Sequence, residues 1–363
     1  MADKPRILTI ATTPGPAQAL AEAVRGLSAW AQVTVLTSSD PRQGQGGAVF
    51  ARYGIPTVTI ESILSDYRPL DVRDDQARAL LARFSPNAVL AGAVNEPSGE
   101  RYPIEDMLCW AATRAGLANA QFIEGWDVWQ PRRWGPPPAA IYLAVDTHAA
   151  AMLRHNGVPA DRLRVVGYSP SLIDPEHLDK NERGVVRAEL GLGDADRLIV
   201  FYGQVTPNHP VTLGWLANVL GPRDRLLFQR HPRDGRALDL LLADCPRESV
   251  KLSSLPTHRV IHATDVCVTH FSLVSFTAAV MGIPTILTLL QDDVPNIRRI
   301  LGGYPTTLLK GSVECYDRDG LARALAEARP PEDSFVEQVR DAAAGFSASV
   351  TASLLKALAR HPA

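Results

Sequence analysis

The chain has 363 residues with a formal net charge of −2, and 46% of them are hydrophobic and 21% charged. That length is enough for two α/β domains, each burying its own core. The near-neutral charge excludes a nucleic-acid binder held by phosphate attraction, which needs a basic domain.

No run of about 18 apolar residues is present, so no transmembrane helix is expected. The opening MADKPRILTIATTPG lacks a cleavable signal pattern, and a cytoplasmic location is the expectation. Cys109, Cys245, Cys267 and Cys315 form no CxxC pair, so neither a metal site nor a disulfide framework is expected.

In chain order, Arg6–Ala11 reads as a buried strand, Thr12–Pro16 as a tight turn, and Ala17–Trp30 as a helix through Leu20, Val24 and Leu27. Gln32–Leu36 is a second strand. This β–Gly turn–α–β opening starts a Rossmann-like unit, but it lacks GxGxxG, so no nicotinamide site follows from it. Ser39–Gly47 is polar and glycine-rich and reads as a loop.

Thr57–Ile60 is a third strand, Asp74–Phe84 an amphipathic helix, Ala88–Ala93 a fourth strand and Ile104–Ala115 the next helix. Gln121–Ile123 leads into Glu124-Gly125-Trp126-Asp127. Ala140–Val145 is a strand, and Asp146-Thr147 caps a helix ending at Asn156-Gly157. The apolar runs are continuous, as in a parallel sheet covered on both faces. Ligands bind such sheets beyond the C-terminal ends of the strands. The loops to search are therefore Thr12–Pro16, Asn95–Arg101 and Glu124–Arg133.

A polar stretch, Asp174–Asn181, reads as a linker. A second α/β series starts at Arg197–Gln204. It continues through helix Val211–Leu220, strand Arg225–Gln229, the Arg230-His231-Pro232-Arg233 turn and helix Gly235–Leu242. Val266–Thr269 is the next buried strand and His270-Phe271 a turn. Ser272 opens a helix of small residues, Phe276–Met281, which Gly282 stops, and Ile283–Leu287 is a strand. A helix that begins at a hydroxyl residue directly after a strand offers N–H groups and its positive dipole end to a phosphate or carboxylate. The bland alternative is that Ser272 is an N-cap only. The tail Ser334–Arg360 is a long helical pattern interrupted only by Gly345.

This layout resembles the GT-B glycosyltransferase superfamily. Its most specific piece is Ala144–Asp174, AVDTHAAAMLRHNGVPADRLRVVGYSPSLID, with Gly157-Val158-Pro159, Arg162-Leu163 and Val166-Gly167 at the exit of the first domain. The second half looks closest to the subgroup with an HP motif and a downstream Ser motif: bacterial sialyltransferases, Kdo transferases and CDP-glycerol glycerophosphotransferases. Arg230-His231-Pro232 and His270–Phe276 stand at those motifs.

The resemblance implies two Rossmann-like domains with parallel sheets facing across a cleft. Residues 1–175 would take the acceptor, 176–335 the donor nucleotide, and a C-terminal helix, 336–363, would cross back to the first domain. It also implies a metal-independent, inverting glycosyltransferase that joins a nucleotide-activated donor to a hydroxyl acceptor, without a further cofactor.

The donor would be held by Gly203, Gln204, Arg230, His231, His270, Ser272 and Ser275, with Asn208-His209 as a secondary donor loop. The acidic-Gly motif of that subgroup supplies a general base, and Ile123-Glu124-Gly125 sits at the matching place. With no histidine before His148, the base is acidic, and Glu124, Asp127 and Glu96 are the candidates. Gly15, Asn95 and Glu96 would line the acceptor side.

One departure stands out. Many GT-B enzymes carry a glutamate in the helix after the Ser motif, whereas Phe276-Thr277-Ala278-Ala279 has no carboxylate. This argues against a retaining enzyme with paired glutamates. It leaves room for an unusual donor or for a protein that has lost transfer activity. Two alternatives to the transferase stay open: a sugar-nucleotide epimerase of the same fold, and a non-catalytic GT-B-like binding protein.

Overall fold

The structure is a computed structural model and describes residues 4–40, 44–69, 72–94, 102–126, 138–173, 182–231, 234–290 and 296–360. The chain divides into two compact units, residues 1–172 with 340–363, and residues 173–339.

The first unit is built on a seven-stranded parallel sheet. Its strands are β1 (Arg6–Ile10), β2 (Gln32–Thr37), β3 (Val58–Thr59), β4 (Ala88–Gly92), β5 (Ala118–Ile123), β6 (Ile141–Ala144) and β7 (Leu163–Val165). The order is β3-β2-β1-β4-β5-β6-β7, so the direction of winding reverses between β1 and β4. At such a reversal the strand ends diverge and leave a crevice.

β4 and β5 are buried along their whole length, which explains their unbroken apolar sequence. Helix Pro14–Ser28 turns Ala17, Leu20, Ala21, Val24 and Leu27 inward, and a proline at its first position fits there because that N–H has no helical partner. Helix Phe346–Arg360 belongs to the same unit and buries Phe346, Val350 and Leu354. Phe346 packs edge-on against Phe122 of β5, with ring centroids 5.4 Å apart.

The second unit has six parallel strands in the order β10-β9-β8-β11-β12-β13, a doubly wound arrangement whose winding reverses between β8 and β11. They are β8 (Arg197–Tyr202), β9 (Asp224–Gln229), β10 (Val250–Leu252), β11 (Val266–Thr269), β12 (Thr285–Thr288) and β13 (Val313–Cys315). Alternate side chains leave the sheet on opposite faces. Ile199, Phe201, Leu226, Phe228 and Val268 therefore enter one core, and Leu198, Val200, Tyr202, Leu227 and Cys267 the other.

Several elements differ from the sequence reading. The C-terminal pattern is two helices, Asp333–Ala344 and Phe346–Arg360, set at 40° across Gly345. The Ser39–Gly47 loop ends earlier than its composition suggests, because Gly46 opens helix Gly46–Arg52. Its amide donates to the Thr12 carbonyl, and a Cβ at Gly46 would lie 2.4 Å from the Ala11 oxygen, so only glycine allows this approach. The helix expected over Gly235–Leu242 is one turn, Leu238–Leu241. β10 and β13 were missed, being three residues each. No single helix among the described residues is long and apolar enough to cross a membrane. All four cysteines are buried free thiols.

Candidate functional site

In the first unit, acidic side chains gather where β1, β4 and β5 end. Glu124 follows β5 directly and is 6% exposed, and its Oε2 has no hydrogen-bond partner. Burial pushes its pKa up to about 8, and the nearby Glu105 carboxyl adds to the rise. Glu124 lies against the turn after β1, where a Cβ on Gly15 would sit 3.2 Å from its Oε1. Glycine at 15 therefore leaves the carboxyl room.

Glu105, on helix Ile104–Arg114, is completely buried. Its Oε1 accepts both the Thr12 amide (2.8 Å) and the Thr12 hydroxyl (2.7 Å). Burial raises its pKa and Asp106 adds to the rise, while the two Thr12 donors work in the opposite direction. On the adjoining turn of chain, Gln121 donates to Asp106 Oδ1 at 2.6 Å.

The Glu124–Trp126 segment is anchored at its far end. Trp126 is buried, and its indole N–H donates to Asp146 Oδ2 (2.9 Å). Asp146 also accepts the Tyr168 hydroxyl at 2.7 Å and, through Oδ1, the Ala149 amide at 2.7 Å, which caps helix Thr147–His155. His148 Nδ1, 3.4 Å from Oδ2, and after it these three donors hold its pKa below the usual carboxylate value despite burial. Trp126 is thus a packed anchor. Asp127, Asn95 and Glu96 lie outside the described residues, as do Trp129 and Trp134.

In the second unit the winding reverses between β8 and β11, and the residues beyond those strands meet there. The Gln204 amide donates to His209 Nε2 (2.6 Å), and the Phe271 amide donates to the Gln204 side-chain oxygen (2.7 Å). The Tyr304 hydroxyl donates to the Phe271 carbonyl. The two loops are therefore cross-linked by their own polar groups.

His209 and His270 are fully buried and stack 5.4 Å apart at 11°. His209 Nε2 accepts the Gln204 amide, while Nδ1 lies 3.2 Å from Arg236 Nη2 and 3.6 Å from Asp234 Oδ2. Burial, then His270 and Arg236, push the His209 pKa down to about 3, so it is neutral. His270 Nδ1 donates to the Thr288 carbonyl at 2.9 Å. Asp234 pairs with Arg236 at 2.6 Å, and that contact is the main reason its carboxyl is held below its usual range. Gly203 fits beneath this group, since a Cβ there would lie 2.7 Å from Phe228 and 2.9 Å from His209.

The Ser272 region is more closed than its sequence suggests. The helix runs Val274–Val280, and Ser272 lies before its N-cap, Leu273. The Ser272 hydroxyl accepts the Val274 amide (3.3 Å), and the buried Ser275 hydroxyl donates to the Ser272 carbonyl (2.7 Å). The amides of Phe271, Ser275 and Phe276 are also taken. Arg230 donates through Nη2 to the Arg236 carbonyl at 2.5 Å, while its buried Nε has no partner. His231 is partly buried beside it, and Pro232 lies outside the described residues. The missing carboxylate after Ser272 has a structural counterpart, because Phe276 fills the core against Phe335, 5.9 Å away.

No family model matches the sequence. No curated protein matches it either. Solved structures do. The chain aligns with UDP-N-acetylglucosamine 2-epimerase from Rickettsia bellii at TM-score 0.68 and 12% identity, over 98% of this chain and 97% of that one. It aligns with the UDP-GlcNAc 2-epimerase of Neisseria meningitidis bound to UDP-GlcNAc at TM-score 0.62 and 14% identity, over 97% and 100%. The fold is that of the GT-B superfamily.

A glycosyltransferase of kitacinnamycin is also similar, at TM-score 0.57 and 14% identity over 99% and 100% of the two chains. The recurrence of epimerases among the similar GT-B structures overturns the expectation of a glycosyltransferase with a hydroxyl acceptor. It gives no support to the subgroup with HP and Ser motifs.

Sequence reasoning ranked His209 below its neighbours and passed over Glu105, Asp234 and Arg236. His209 carried a usable signal, a histidine at the start of a helix one loop after a Rossmann-type strand. The other three gave none, because charged residues in a first turn or a loop normally face water.

Proposed function

We propose that this chain acts on a nucleotide-activated sugar, a uridine diphosphate sugar in the first instance, and inverts one sugar carbon by moving a proton. Glu124 is the proton-transfer group. The observation that carries this reading is its burial beyond the end of β5, with one oxygen unpartnered and a pKa of about 8. A carboxyl tuned to near-neutral pH is partly ionised under working conditions, which is what taking the sugar proton requires, and inversion is completed when solvent or a second acid delivers a proton to the opposite face. Gly15 leaves space beside it.

The nucleotide belongs to the second unit, beyond β8 and β11. Arg230, whose Nε has no partner, is the candidate for a phosphate oxygen, with Gly203, Gln204, His231, His270 and Ser272 as the further candidate contacts. Ser275 supports the loop from within, through its bond to Ser272. The likeness to epimerases that bind UDP-GlcNAc supports this reading over transfer to an acceptor.

The test is incubation with UDP-N-acetylglucosamine in deuterated water without any acceptor, followed by proton NMR. One sugar C–H signal should fade and a second sugar nucleotide should appear. Glu124→Gln should slow the exchange at least ~100-fold while the thermal shift caused by nucleotide persists. If no exchange occurs with UDP-, CDP-, GDP- or TDP-sugars, the reading is wrong.

A further inference from the structure

Two carboxyl groups meet one turn in the first unit. Glu105 holds Thr12 by its amide and hydroxyl, and Glu124 lies against Gly15, three residues further along. Each leaves one oxygen without a partner, and each is enclosed by protein. A fully buried carboxyl that neither pairs with a cation nor satisfies both oxygens is costly to keep, so the fold gains nothing in stability from its charge.

Asp106 and Cys109 share the helix of Glu105, and Tyr67 approaches from the segment after β3. Among the described residues Glu105 is the charged group bearing on Glu124, and no lysine or arginine there offsets either carboxyl.

We propose that Glu105 is a positioning residue for Glu124: it pins the Thr12–Gly15 turn against which Glu124 rests, and its like charge resists the ionisation of Glu124. Glu105 touches no substrate. It acts by fixing one wall of the site and by setting the pH at which Glu124 releases its proton. The inference rests on Glu124 being the proton-transfer group, but its test does not depend on turnover.

The full chain, labelled with carboxyl-13C glutamate, is titrated by NMR, and the Glu124 signal is assigned by its loss in Glu124→Gln. In Glu105→Gln the amide oxygen still accepts from Thr12 while the charge is gone. The Glu124 midpoint should fall by on the order of one pH unit. The acid limb of any proton-exchange profile should move the same way, which a purely structural role would not produce.

Thr12→Val is the second variant. It deprives the Glu105 carboxylate of one donor, favours its neutral form and so moves the Glu124 midpoint down by a smaller step. An unchanged Glu124 midpoint in folded Glu105→Gln overturns the proposal, and if that variant does not fold, an unchanged midpoint in Thr12→Val does so. A midpoint that falls in a protein exchanging no sugar proton upholds the coupling and removes only the epimerase reading.

Discussion

Glu124 makes the stability of the molecule depend on pH with a definite sign. Its folded pKa, about 8, lies above the ordinary value of 4.5, so the native state binds its proton more tightly than the unfolded chain does. That contribution is complete below pH 4.5 and is lost as pH rises through 8, and it amounts to roughly 5 kcal/mol. Glu124→Gln should remove this slope, and at pH 9 the variant should melt above the wild type in a calorimetric scan. The opposite order at pH 9 would mean that the carboxylate is stabilised where it sits. Asp146 behaves in the other sense, because four hydrogen-bond donors converge on it. Asp146→Ala removes the acceptor of the Trp126 and Tyr168 hydrogen bonds and uncaps a helix, at a cost of about 3 kcal/mol, measurable by urea unfolding of the first unit.

The elements that end at the two reversals of winding hold the candidate site residues, and they were legible to different degrees. Strand and helix order followed from continuous apolar runs, because parallel strands buried on both faces leave that signature. Glu124 was legible too, as an acid directly after such a run. Glu105 was not. It sits in the first helical turn, where a carboxylate ordinarily complements the dipole from the surface, and its partner Thr12 is 93 positions away. The Asp234–Arg236 pair was hidden in the same way, since the burial that makes it matter comes from His209 and the loop after β9. At the Ser272 turn, sequence shows a hydroxyl before a helix but not that Gln204 and Ser272 itself take the Phe271, Val274 and Ser275 amides. His209 is the element-level test. His209→Ala leaves the Gln204 amide unpaired and opens a cavity under Gly203, and it should cost about 2–4 kcal/mol. If stability is unchanged, the cross-link between the β8 and β11 loops is not held by the imidazole.

At the scale of the whole molecule, the first unit is assembled from two separated stretches of chain, residues 1–172 and 340–363. Helix Phe346–Arg360 supplies the cover for β5 and for helix Pro14–Ser28, with Phe346 on Phe122 and Ser347 bonded to the Glu22 carbonyl. Removing residues 346–363 should strip hydrogen-exchange protection from β4 and β5 while β8 and β11 keep theirs, because the latter draw on their own two cores. Equal loss in both sheets would show that the units do not fold independently. The same connectivity bears on how the protein is made. Phe122 and its neighbours leave the ribosome well before the helix that shields them, with residues 173–339 synthesised in between. At about 5–20 residues per second, that interval is on the order of 10 s or longer. During it a nascent sheet exposes an apolar face with no native partner yet in existence, the kind of surface that chaperones engage.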